Sequence, residues 1–142
     1  MSWINMNSMI SESMLRFFLV LTGGGLGSAS RYGVSLLAAR LFGTRFPYGT
    51  MIVNLTGCLL IGICFELAER AAWFGTSARL FFMTGFLGGL TTFSTFALET
   101  VISERKGTEP VALINFFANN VIGMGMILIG MWLVQYVFEK RY

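Results

Sequence analysis

The stretch GFLGGLTTFSTF, residues 85–96, decides how this chain is read. It lies inside an apolar run, yet it carries the adjacent glycines Gly88 and Gly89. Hydroxyls follow at Thr91, Thr92, Ser94 and Thr95, with rings at Phe93 and Phe96. A helix in hydrocarbon must satisfy its own backbone groups. Two readings fit the glycines. Either they open the helix and leave carbonyls free for a cation, as in the broken helices of transporters, or they let a neighbouring helix approach closely.

The apolar run around this stretch covers residues 80–102, and three more cover 17–42, 48–67 and 110–138. Each reaches the ~20 residues needed to cross ~30 Å of hydrocarbon. The linkers GTRFP, ERAAWFGTSAR and SERKGTEP are short and hold most of the charge. Pro47 and Pro110 stand at helix starts, where a missing N–H costs little. Trp73 and Trp132 suit membrane interfaces. The expectation is an all-α integral membrane protein: one domain over residues 1–142, four transmembrane helices, both termini on one side.

Composition agrees. Of 142 residues, 55% are hydrophobic and only 12% charged, with mean hydropathy +0.70, too few polar residues to cover a soluble protein of this size. The net charge of +3 sits at the ends of the apolar runs, so no nucleic-acid surface is expected. The absence of His and Asp removes His-based metal sites, Ser-His-Asp triads and paired-carboxylate chemistry, and an enzyme is not expected. Cys58 and Cys64 are six apart in one run, on different helix faces, and read as packing residues rather than a disulfide. The first 14 residues lack a basic start, and no cleaved signal peptide is expected.

Flanking cations set orientation. Arg16, Arg70, Arg79, Lys140 and Arg141 fall on one side, and Arg40, Arg45, Arg105 and Lys106 on the other. This near-balance reads either as noise in a small protein or as dual topology, with copies inserted both ways and paired antiparallel. Four helices enclose little interior, so oligomerisation is expected in either case.

Polar groups within the apolar runs are costly and point to function. With Phe93 at zero on a helical wheel, Phe96 falls near about −60°, Thr92 near about −100°, Glu99 near about −120° and Thr95 near about −160°. Rings, hydroxyls and one carboxylate thus share a connected face. Hydroxyls donate to anions, and an aromatic ring has a positive edge. A lining of many weak attractions suits conduction, because an ion must both bind and leave. In GTMIVNLTGCLLIGICF, Asn54 offers two amide protons to an anion or to a neighbouring helix. In the first run, GGGLGS lacks the residues of a dinucleotide loop and sits in a membrane context, so Gly23 and Gly27 read as close-packing positions. Arg31 lies midway and fits an anion vestibule, a pair with Glu99, or snorkelling to an interface. In the fourth run, Asn115 and Asn119 share a face and Asn120 is adjacent; the three either bind helices together or extend a polar track.

GFLGGLTTFSTF followed by ALET, with PYGTMIVNLTGCLLIG upstream and Arg31 before it, resembles the Fluc (CrcB) family of fluoride channels. The resemblance implies a third helix broken at its middle and an antiparallel, dual-topology homodimer in a prokaryotic inner membrane. It implies two fluoride pores and a central Na+ held by backbone carbonyls, here those of Gly88 and Thr91. Phe93 and Phe96 would line the pore with ring edges, Asn54 would be the second-helix amide, and Ser94 and Thr95 would continue the hydroxyl track. Glu99 matches an acidic position near the pore, and Arg31 a basic position near the vestibule. The fourth helix departs from the pattern of a Tyr followed by small hydroxyl residues. Alignment on Gly123 puts Phe116 at the Tyr position, Asn120 in place of a hydroxyl, and Met124, which cannot donate, beyond it.

The function implied is passive export of fluoride from the cytoplasm. The alternative is a small proton-coupled multidrug exporter using Glu99. Such proteins need a carboxylate in the first helix, where residues 17–42 hold Arg31 and no acid. A subunit of a larger assembly is a third reading, with no specific support.

Overall fold

The computed structural model describes residues 3–140, with side chains from residue 9 onward. The described residues are helical apart from short connections. Four helices are long and apolar enough to cross a membrane: Met9–Phe42, Tyr48–Arg70, Thr76–Arg105 and Glu109–Glu139.

Helix α1 (Trp3–Phe42) starts well before the apolar run. Residues 3–16 contain no Gly or Pro, and Glu12 and Arg16 pair one turn apart at 3.4 Å. Gly43, at φ +78°, ends the helix in the left-handed conformation that favours glycine. Helix α2 (Tyr48–Arg70) follows Pro47 and stops at extended Ala71. Helix α3 (residues 76–90) has an α turn at Thr76–Arg79, a wider π-helical stretch at Leu80–Leu87 and a final α turn at Gly88–Leu90. Helix α4 (Phe93–Arg105) resumes the same span after a gap. Helix α5 (residues 109–139) carries Pro110 in its first turn and a π-helical stretch at Ala118–Ile122.

The third span is therefore broken, and the break falls after the glycines. Gly88 is helical at φ −62°, ψ −36°, whereas Thr91 (φ −84°, ψ 157°) and Thr92 (φ −152°, ψ 114°) are extended. Glycine at 89 serves packing: a Cβ there would sit 3.1 Å from Gly24 Cα of α1. Close approach and a broken helix, the two readings of the sequence, are both present two residues apart.

Packing is pairwise. α1 lies on α3 through Gly23, Gly27, Gly85 and Gly89, and α2 lies on the second half of α5 through Gly62 and Gly130. α4 packs on the first half of α5. Small residues bring these backbones together where hydrocarbon offers no hydrophobic drive. Val53, Leu87 and Leu90 form the central apolar cluster beneath the break. Cys58 and Cys64 are unbridged. Arg70 pairs with Glu66 at 2.6 Å, and Arg79 reaches Glu69 at 3.9 Å and the Ala68 carbonyl. Arg141 lies outside the described residues, as do Met1, Ser2 and Tyr142.

One stability prediction follows from the α1–α3 contact. A Cβ on Gly27 would sit 2.9 Å from the Leu90 nitrogen, which is backbone and cannot rotate away. Gly27→Leu should cost about 3 kcal/mol or more through overpacking, read as a lower melting temperature of the purified protein. An unchanged melting temperature would show that this contact is not tight.

Candidate functional site

The site is built around the break. The Thr91 N–H still bonds the Leu87 carbonyl at 3.0 Å, as a helix requires. The next N–H, that of Thr92, leaves the helix and donates to Asn54 Oδ1 at 2.8 Å. The Gly88 carbonyl thereby loses its helical partner. Neighbouring carbonyls find others: Gly89 O of α3 accepts from Ser28 Oγ at 3.5 Å, and Thr91 O, just past its end, from Arg31 Nη1 at 3.4 Å. Thr92 then caps α4, its Oγ1 accepting from the Thr95 N–H at 3.2 Å. The break thus places the negative end of one helix and the positive end of the next side by side.

Asn54 also donates to Thr92 O at 3.2 Å and to Asn119 Oδ1 at 2.8 Å. Asn119 Nδ2 donates to Asn115 O and Oδ1, both at 2.9 Å. Asn115 is fully buried and donates to Thr100 Oγ1 at 2.9 Å and to Phe96 O at 3.5 Å. Thr100 Oγ1 donates to Phe96 O at 2.8 Å.

Two cavities lie along α4, and Phe96 lines the first of them. The first, about 340 Å³, is lined by residues including Asn54, Gly88, Thr91, Phe93, Phe96 and Asn120. The second, about 600 Å³, opens at the far end of α4 and is lined by residues including Arg45, Thr50, Glu99, Ser103 and Lys106. Phe96, in the lining of the first, and Glu99, in that of the second, are about one helical turn apart.

The shared face expected from the wheel divides. Phe96 and Thr92 turn into the protomer, and Phe93, Ser94 and Thr95 face outward. Phe93 is 75% exposed and Phe96 only 4%. Their rings stand edge to face, 5.4 Å apart at 64°, and Phe116 lies 6.4 Å beyond Phe96. Glu99 Oε1 accepts from Thr50 Oγ1 at 2.8 Å, and its Oε2 is buried without a partner. Among the described ion pairs none joins Arg31 to Glu99; the guanidinium instead faces the Thr91 carbonyl. Asn120 donates to the Phe116 carbonyl at 2.7 Å, and Met124 is exposed.

Sequence reasoning named Asn54, Phe93, Phe96, Asn120, Gly88 and Thr91, which meet at the first cavity. It noted the shared face of Asn115 and Asn119 without giving them a place in the site. It missed Thr50 as the partner of Glu99, and Thr100. Only the i, i+4 spacing of the two asparagines signalled their contact; the rest depends on helices distant in sequence.

Four helices long and apolar enough to cross a membrane, one of them broken where polar groups gather at a cavity, define a multi-pass helical membrane protein. A family profile described as CrcB-like protein, Camphor Resistance (CrcB), matches residues 18–131. The chain is 43% identical over 117 residues to the protein named Fluoride-specific ion channel FluC of Parabacteroides distasonis, covering 82% of this chain and 91% of that one. It is 39% identical over 127 residues to the protein of the same name in Clostridium perfringens (89% and 99% covered), and 40% over 121 residues to that of Aeromonas salmonicida (85% and 97%). The chain belongs to the CrcB family.

Proposed function

We propose that this protein is a fluoride-selective passive channel that lets F− leave the cytoplasm and so relieves fluoride toxicity. One observation carries the reading: the relatives bear the name fluoride-specific ion channel, and the family match over residues 18–131 spans every residue lining the two cavities. The protein is a conduit and not an enzyme.

Fluoride is small and costly to dehydrate, so its path must replace water with many moderate donors. The positive edges of Phe93 and Phe96 and the hydroxyls of Ser94 and Thr95 supply them. Asn54 and Asn120 line the cavity that the rings also line, and Glu99 lines the second cavity farther along α4. Arg31 adds a positive field near the break that draws anions inward.

The working unit is an antiparallel, dual-topology homodimer with two pores, seated in a prokaryotic inner membrane. The near-even charge count supports this, as does the exposure of Gly88, Phe93, Ser94 and Thr95 on the protomer. Backbone groups at the break also fit a central Na+. Among the described residues no cluster of acidic, His or Cys side chains could hold a metal, but the Gly88 and Thr91 carbonyls sit at the negative end of α3. The first lacks a helical donor, and the second keeps one lone pair beyond its Arg31 bond. Carbonyls at a broken-helix terminus are suitable oxygen ligands for Na+. The ion would hold the two breaks together.

The test is ion efflux from liposomes holding the purified protein, followed with fluoride and chloride electrodes side by side. Rapid fluoride loss without chloride loss is expected. No fluoride loss from folded dimers would overturn the reading and favour a drug exporter or an assembly subunit.

A further inference from the structure

The amides of Asn54, Asn119 and Asn115 do not form a loose polar patch. They form a directed chain whose two ends both lie on the broken third span. It starts at the Thr92 N–H, passes through Asn54, Asn119, Asn115 and Thr100 by hydrogen bonds of 2.8–2.9 Å, and ends on the Phe96 carbonyl.

Its direction is forced. A backbone N–H can only donate, so Asn54 must turn its oxygen to the Thr92 N–H and its NH2 to the Thr92 carbonyl and to Asn119. Asn119 must then present its oxygen to Asn54 and its NH2 to Asn115. Asn115 in turn gives its protons to the Thr100 hydroxyl and the Phe96 carbonyl. One flipped amide would set NH2 against NH2 at one of its links and oxygen against oxygen at the other. In a buried site each such mismatch leaves polar groups unpaired where water cannot reach them, and a satisfied buried network favours one arrangement. Asn115, fully buried, anchors the chain where no water competes.

We infer that Asn119 and Asn115 are positioning residues. They lock the Asn54 amide in the one orientation that holds the helix break open at Thr92, and they brace the turn of α4 that carries Phe96. Both Asn54 protons are engaged, to Thr92 O and Asn119 Oδ1. Asn54 therefore serves an anion by fixing the Thr92–Thr95 hydroxyls and the Phe96 ring in place. This inference rests on the channel reading for its flux consequence and on geometry alone for the rest.

The experiment compares the parent with Asn119→Leu, which keeps the size and removes both donor and acceptor. Backbone amide exchange at Thr92 is followed by NMR in lipid bicelles, and fluoride efflux is followed in liposomes. The variant should exchange Thr92 at least tenfold faster, with amides of the α2–α5 contact near Gly62 unchanged, and should pass fluoride at least tenfold more slowly. Thr92 exchange at the parent rate overturns the inference, as does faster exchange spread evenly over all helices. Unchanged flux despite faster Thr92 exchange also overturns it. Should Asn119→Leu fail to fold, Thr100→Val cuts the chain at its far end and must give the same localised change at smaller amplitude; no change overturns the inference. In the parent itself, the Asn54 and Asn119 side-chain NH2 protons should exchange more slowly than those of Asn120, and equal rates would overturn it. A parent that passes no fluoride refutes the channel reading, whereas the exchange measurements still judge the chain.

Discussion

Fluoride flux through Phe93→Ile and through Phe96→Ile should each fall at least about tenfold, with folded protein recovered in both cases. Loss of about 1.4 kcal/mol at the barrier corresponds to tenfold in rate, and an interaction of an aromatic edge is of this order. Isoleucine keeps much of the volume and removes the ring's positive edge. The two variants carry different structural costs. Phe96 is 4% exposed, between the rings of Phe93 and Phe116, so its replacement also costs about 1–1.5 kcal/mol in packing. Phe93 is 75% exposed on the protomer, so its replacement should leave the protomer's stability nearly unchanged. Flux at the parent rate through both variants would remove ring edges from the mechanism.

A second large effect separates adjacent glycines. A Cβ on Gly88 would meet only the Met83 carbonyl, at 3.9 Å, whereas one on Gly89 would meet the backbone of Gly24. Gly88→Leu should therefore leave the protomer helical and folded but abolish the homodimer and its flux, because the proposed partner and its Na+ occupy the space in front of residue 88. Gly89→Leu should instead destabilise the protomer itself, again by about 3 kcal/mol or more. Size-exclusion chromatography with circular dichroism separates the cases. A Gly88→Leu dimer of parental stability would place the partner on another face.

The sequence carried more of the fold than of the site. Four apolar runs separated by charged linkers needed only length and hydropathy to be read as four spans. The break was one of two readings that the glycine pair left open, and the resemblance to the Fluc family chose it. Its position was not legible. The Thr92 N–H leaves α3 for Asn54, 38 residues away, and no local pattern encodes that choice. Helical-wheel angles placed Phe93 and Phe96 on one face, which holds along α4, yet one ring is exposed and the other buried because α5 covers only part of that face. In the fourth span, alignment on Gly123 drew attention to Asn120, whereas Asn119 reaches across to α2. The π-helical stretch at Ala118–Ile122 widens the helix there, and regular spacing cannot anticipate the shift.

The asparagine chain has one more consequence. A row of waters, carboxylates or hydroxyls can pass a proton along by exchanging donors for acceptors. An amide cannot do so without rearranging to an imidic acid, since its oxygen only accepts and its nitrogen only donates. Three asparagines in series therefore insulate the seam they stabilise. The polar interior holds a helix open in the bilayer without offering a proton relay through its amides.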